Sequence, residues 1–233
     1  MIRITGLSKR FNAGSIDEIL ALKGIDLFVD RHEFVTVIGT NGSGKSTLLN
    51  MIAGNIQPDQ GIVEIDGKDF TGKKEYQRAA FISRVFQNPY LGTAPGMTIA
   101  ENLLMAYYRG KPRYPRISLT RTLTEIFKDK LSVLEMRLED RLDPKTANQV
   151  IRLTQKFVSE AKLTTLMITH SMKQALEMGD RTIMMHNGRI IDDIAATEKK
   201  QLTVEDLLNK FEDIRKQEKL TPELISFLKN QYA

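Results

Sequence analysis

The sequence predicts an α/β fold in which a parallel core sheet lies beside an antiparallel β subdomain, and three observations predict it. A glycine-rich loop, Gly39-Thr40-Asn41-Gly42-Ser43-Gly44-Lys45-Ser46-Thr47, joins the apolar run Phe34–Ile38 to the apolar stretch Leu48–Ala53, so a buried strand turns directly into a helix. The order strand then helix returns late in the chain, as Thr164–Thr169 followed by Met172–Met178, which is the pattern of a parallel core. Ahead of the loop, Ile2-Arg3-Ile4-Thr5 alternates, and the apolar run Leu22–Val29 together with Ile62–Ile65 and its turn Asp66-Gly67 fits an antiparallel sheet.

Between these landmarks each segment has a local reason. A short helix is expected near Lys74–Arg78, leading into a strand-like Ile82–Phe86 that ends at Gln87-Asn88-Pro89. Thr98 with Glu101 three residues on is a capping-box pattern, and the apolar spacing behind it predicts a helix from Thr98 to Arg109. Further helices are expected over Leu119–Leu138 and Lys145–Ala161. Arg181–His186 and Gly188–Ile191 flank Asn187 as a hairpin, and Thr203–Glu218 and Pro222–Tyr232 read as amphipathic helices. His32 occupies a turn position that suits glycine. The methionines of Leu166-Met167-Ile168 and Ile183-Met184-Met185 fall in strand runs, where core packing is the expected role.

With 41% hydrophobic and 27% charged residues, the 233-residue chain suits one large domain over 1–233. It has no cysteine, which excludes disulfide and thiolate chemistry and fits a reducing compartment. No apolar run has secretory or bilayer-spanning length, so a soluble, cytoplasmic protein is expected. The net charge of +5 suits an anionic ligand or a membrane surface. Nucleic acid is not an expected partner, because the basic residues are dispersed and the densest patch, Arg109–Arg116, carries two prolines and reads as an exposed loop.

The glycine-rich loop supplies the chemistry. Its glycines let backbone amides converge on a polyphosphate, the following helix adds partial positive charge, Lys45 can reach the outer phosphates, and Ser46 can offer a hydroxyl to magnesium. A nucleoside triphosphate is the expected ligand. Phe11 alone reads as a core aromatic, Gln87 as a strand end and His170 as a helix cap. Found in this order around a complete phosphate loop, they resemble the ATP-binding subunit of an ABC transporter, nearest to bacterial importers of amino-acid-like solutes. Thr98–Leu103 resembles the start of that family's helical lobe, and Leu142-Asp143-Pro144 resembles the end of its D-loop.

The resemblance implies a P-loop NTPase of ABC type that takes ATP and Mg2+. It gives Phe11 to adenine, and Gly39, Asn41, Gly42, Ser43, Gly44, Lys45 and Thr47 to the nucleotide. Ser46 and Gln87 go to the metal, Gln87 and His170 to catalysis, and Asp143 to the D-loop. It also implies a truncated helical lobe over 88–142, C-terminal helices over 203–233, and a position on the inner face of the cell membrane. The implied partners are an integral membrane permease, a solute-binding protein, and a second nucleotide-binding subunit in a homodimer or heterodimer.

Two of the family's pieces are missing. Leu131-Ser132-Val133-Leu134-Glu135 starts as the Leu-Ser-Gly-Gly-Gln signature does but lacks both glycines, and Glu139-Asp140 follows leucines at helical spacing rather than an apolar strand. The separation from Gln87 to His170 is 170 − 87 = 83 residues, a few dozen short for the family, whereas that from Asp143 to His170, 170 − 143 = 27, is ordinary. The gap is therefore expected just before Asp143. It would remove a central strand of the parallel sheet, the acidic pair that binds metal and polarises water, and the surface that faces the other subunit's nucleotide. Two explanations fit: a real deletion, or a segment omitted from the sequence of an ordinary ABC ATPase. The expected function is an ATP-binding transport subunit that hydrolyses little or nothing. The alternative is a non-catalytic regulatory module or a degenerate subunit paired with an intact ABC ATPase.

Overall fold

A computed structural model describes residues 1–86, 91–111, 119–132 and 154–219. Gln87, Asp143 and the segment expected to hold the gap lie outside these residues, as do 133–138, 145–153 and the last expected helix. The antiparallel sheet has the order β2-β1-β4-β5, from β1 (Ile2–Phe11), β2 (Ile19–Val29), β4 (Gln60–Ile65) and β5 (Lys68–Asp69). Register runs from Ile2 opposite Val29 to Phe11 opposite Ile19 on one side of β1, and Ile2 faces Ile65 on the other. Asp66 and Gly67 close the β4–β5 hairpin with φ of 49° and 76°, the doubly left-handed turn that suits the sheet twist.

The core sheet has the order β6-β3-β7-β8. Here β3 (Phe34–Gly39) is parallel to both β6 (Thr165–Ile168) and β7 (Arg181–His186), and β8 (Arg189–Ile194) returns antiparallel to β7. Alternate side chains serve opposite layers. Val35, Val37, Ile183 and Met185 join the antiparallel sheet and α1 (Lys45–Ala53). Ile38, Met184 and Ile194 face α6 (Met172–Glu177) and α8 (Val204–Lys219) through Ala175, Leu207 and Phe211. Among the described residues β6 pairs only with β3 and all four of its residues are half-buried, whereas Ile183, Met184 and Met185 of β7 are fully buried.

Outside the two sheets, the described residues include two short helices that pack together. Thr98 caps α3 (Ile99–Tyr107): its hydroxyl accepts from the Glu101 amide at 3.2 Å while the Glu101 carboxylate accepts from the Thr98 amide at 2.8 Å, the reciprocal box its sequence predicts. Leu104 packs there on Leu123 and Phe127 of α4 (Arg121–Ser132). After α2 (Glu75–Arg78), the expected strand over 82–86 does not form. Its alternation is real, with Ile82, Arg84 and Phe86 half-buried and Val85 97% exposed, but the segment is hydrogen-bonded into neither sheet. His32 takes the left-handed φ of 66° its turn requires, and its amide donates to the Thr164 hydroxyl at 3.0 Å.

A helical run over residues 154–160 (α5) precedes β6, and the short α7 (Ala196–Lys199) had no strong sequence signal. Lys199 is 5% exposed and donates to the carbonyls of Met178 and Gly179, closing the turn after α6. Burial lowers its pKa to about 8, with the Asp180 carboxylate partly opposing. This value lies below the ~10.4 of an unfolded lysine, so the unfolded chain binds more protons between the two and this group's contribution to stability rises with pH across that window. Urea melts from pH 8 to 10.4 are expected to show wild type gaining on Lys199→Met. A constant difference would refute the assignment.

Candidate functional site

Three strand ends meet at one edge of the core sheet. Because β3, β6 and β7 are parallel, the glycine-rich loop after β3, His170 after β6 and His186 at the end of β7 all lie at the carboxyl edge, where open α/β sheets bind ligands. The loop's conformation is imposed by crowding. A Cβ on Gly39 would stand 2.2 Å from the Met185 carbonyl oxygen, and one on Gly44 would stand 2.6 Å from the Ala21 oxygen. Gly44 is also the N-cap of α1, with φ of 96°, so both space and backbone angle require glycine there.

The N-terminus of α1 has no side-chain cap and no acidic residue in its first turn. Its leading amides and partial positive charge are presented toward the loop, an arrangement suited to an anion. Ser46 is exposed in that first turn, and Asn41 and Gly42 form the exposed crest. Lys45 is 5% exposed and folds back: its ammonium donates to the carbonyls of Gly39 at 2.9 Å and Thr40 at 2.8 Å and to the Ser43 hydroxyl at 3.2 Å. Burial pushes its pKa below the ordinary lysine value. An anion at the loop would relieve that cost.

Phe11 ends β1 opposite Ile19, two residues before the Ala21 carbonyl that presses on Gly44, so the sheet register carries it toward the loop. It is half-buried, with the Lys9 ammonium 5.7 Å from its ring centroid. His170 is exposed, and the capping of α6 falls to Ser171, whose hydroxyl accepts from the Gln174 amide at 3.2 Å. The preceding Thr169 donates its amide to the Val37 carbonyl at 3.2 Å, fixing the end of β6 beside the strand that feeds the loop.

Sequence reasoning missed two features. One is the contact of the β7–β8 hairpin with the loop: Thr40 Oγ1 and His186 Nδ1 are 3.0 Å apart, and the Gly188 amide donates to the Ser43 carbonyl at 3.1 Å. The other is Arg78, fully buried at the far end of α1. Its guanidinium donates to the carbonyls of Met51 at 2.9 Å, Ile52 at 2.7 Å, Lys73 at 2.8 Å and Thr71 at 3.2 Å. Asn187-Gly188 marks the hairpin and Arg78 ends a predicted helix, but neither long-range contact has a sequence signature. A cavity of about 460 Å3 lies at this far end, lined by residues that include Arg78, Ile82, Arg84, Phe86 and Arg109. No helix of the described residues is long and apolar enough to cross a membrane.

The sequence profile of the ABC transporter family matches residues 22–224. A tyrosine transport ATP-binding protein of Clostridioides difficile is 38% identical, with 91% of this chain and 99% of the relative aligned. A phosphonates import ATP-binding protein, PhnC 1, of a Ruegeria species is 29% identical over 83% of this chain and 88% of its own length. Among solved structures, a nucleotide-free ATP-binding cassette from an ABC transporter superposes with a TM-score of 0.68 and 25% identity, covering 86% of this chain and 94% of the cassette. The tyrosine-transport alignment runs over 248 positions, more than the 233 residues available here, so at least 248 − 233 = 15 of them face gaps in this chain. With 91% of the chain taking part the number is about 36 (248 − 0.91 × 233), and these residues lie inside the relative's aligned span.

Proposed function

The chain belongs to the ABC transporter family as an ATP-binding subunit of the importer type, and we propose that it binds MgATP at the phosphate loop and passes that event to a membrane permease, with little or no hydrolysis of its own. The observation that carries the reading is the uncapped, acid-free N-terminus of α1 behind a loop whose lysine is already buried against it. In this reading the loop amides and Lys45 hold the phosphates, Phe11 stacks on adenine and His170 senses the terminal phosphate. Ser46, whose exposed hydroxyl stands at the first turn, and Gln87 would hold a magnesium ion that arrives with the nucleotide, beside oxygens of the triphosphate. When bound, that ion neutralises charge on the phosphates. Gln87 and Asp143 keep the roles the family gives them, at the metal and attacking water and in the D-loop.

The partner is proposed to dock beside the helical lobe, where Met97, Ile99, Met105 and Tyr107 are exposed, as is Leu91, which lines the cavity at the end of α1. This would hold the subunit on the cytoplasmic face of the membrane, alongside a second nucleotide-binding subunit and a solute-binding protein. The relatives named for tyrosine and phosphonates favour a small polar or zwitterionic solute such as an aromatic amino acid. Lys45→Ala is expected to weaken MgATP by about 10- to 100-fold in equilibrium titration, the cost of removing charged hydrogen bonds to phosphate. Equal affinity would refute the ATP site.

The absence of the Leu-Ser-Gly-Gly-Gln signature from the sequence favours a second reading, in which this chain pairs with an intact ABC ATPase that contributes the missing surface. Phosphate release that appears only on mixing the two, and that Lys45→Ala in this chain reduces, supports pairing. Release by this chain alone supports neither reading.

A further inference from the structure

We infer that the tip of the β7–β8 hairpin, His186-Asn187-Gly188, is a brace for the phosphate loop and that His186 is a positioning residue for the bound triphosphate. The inference rests on the reading of this loop as an ATP site. The brace grips the loop at two places. His186 Nδ1 meets Thr40 Oγ1 at 3.0 Å where the chain leaves β3, and the Gly188 amide donates to the Ser43 carbonyl at 3.1 Å. Those two loop residues are themselves joined, since the Ser43 amide donates to the Thr40 carbonyl at 3.2 Å.

The hairpin is in turn fixed from behind by β2. The Lys23 amide donates to the Gly188 carbonyl at 2.9 Å and the Lys23 ammonium to Asn187 Oδ1 at 2.8 Å. Gly188 has φ of 76°, and a Cβ there would stand 2.8 Å from the Ala21 oxygen, so the tip lies tight against β2. Two chain segments distant in sequence, the β7–β8 tip and β2, therefore converge on the loop, and His186 supplies the side-chain link. Strand pairing does not need that imidazole, because the backbone register already sets His186 opposite Arg189.

The link matters most when nucleotide is bound. In the structure Lys45 grips the Gly39 and Thr40 carbonyls itself. When its ammonium turns to the phosphates those two bonds are lost, and Thr40 is then held by His186 and by the Ser43 amide. Loss of His186 should consequently weaken nucleotide binding more than it weakens the fold, because it removes preorganisation of the bound loop.

The test is equilibrium titration of MgATP into wild type, His186→Ala, His186→Asn, Thr40→Val and the double variant Thr40→Val/His186→Ala, with melting temperatures in parallel. His186→Ala is expected to weaken binding by about 3- to 10-fold, the value of one hydrogen bond, with its melting temperature little changed. His186→Asn, which keeps a polar atom near the Nδ1 position, should restore most of the affinity. The double variant should bind no more weakly than Thr40→Val alone. Additive losses, or unchanged affinity in His186→Ala, would overturn the inference. Hydrogen exchange of the amides at 40–44 in the nucleotide-free protein gives a readout independent of ATP. Faster exchange in His186→Ala upholds the brace even if wild type binds no ATP, in which case only the ATP reading falls, and unchanged exchange overturns the brace.

Discussion

Restoring to this chain the residues that its tyrosine-transport relative carries opposite the alignment gap is expected to raise steady ATP hydrolysis by about 10²- to 10⁴-fold, the range supplied by a positioned general base. The chain has a phosphate loop, but its sequence has no apolar strand ending in an acidic pair to polarise water, so binding and turnover should be separable. The sheet shows where such a strand fits. β6 and β7 are both parallel neighbours of β3, yet the apolar Leu166, Met167 and Ile168 of β6 are half-buried while the apolar Ile183, Met184 and Met185 of β7 are buried, and among the described residues only β7 has a strand on its far side. Covering the three β6 side chains would add roughly 2–4 kcal/mol of stability. The restored chain should therefore melt higher as well as turn over faster. Intact mass is the control: 26.5 kDa is expected, and a value several kilodaltons higher would mean an ordinary family ATPase with nothing to restore. Phosphate release by the unmodified chain that Lys45→Ala abolishes would overturn the prediction.

Arg78→Ala is expected to cost about 3–5 kcal/mol in urea unfolding, the largest effect of any single change away from the loop. The guanidinium is fully buried and four backbone carbonyls accept from it, two of them in the last turn of α1. Alanine would take this donor from the Ile52 and Thr71 carbonyls, while Met51 keeps the Gly54 amide and Lys73 the Gln57 side chain, and would open a void behind Gly54, where a Cβ would already stand 2.7 Å from Arg78 Nε. Burial holds the guanidinium pKa below its usual value, with Asp69 partly opposing, yet the carbonyls and the negative end of the α1 dipole keep the charge tolerable. Arg78→Lys should recover only part of the loss, because a single ammonium cannot fork to four carbonyls. An unfolding midpoint unchanged in Arg78→Ala would refute this role.

The parts of the fold that were legible in the sequence are those whose cause is local. The loop could be read because its glycines and the helix behind it are contiguous, the α3 box because Thr98 and Glu101 are one turn apart, and the β7–β8 hairpin because Asn187-Gly188 takes φ of 45° and 76°. The segment 82–86 misled because alternation reports burial on one side, and a strand also needs a hydrogen-bonding neighbour that sequence does not display. His186 and Arg78 stayed hidden for the same reason: their partners lie 146 and up to 27 residues away. Phe11, Lys45 and His170 are grouped by motif alone; the parallel register of β3 with β6 sets the strand ends before Lys45 and His170 side by side, while Phe11 belongs to the antiparallel sheet.

Nine residues of α1 separate the glycine loop from Arg78, which at 1.5 Å per residue is about 13 Å of backbone with no proline or internal glycine in it. Such a rod has no joint: its front amides face the loop and its rear carbonyls are held by Arg78, which lines the cavity, so the two ends of α1 belong to one rigid element.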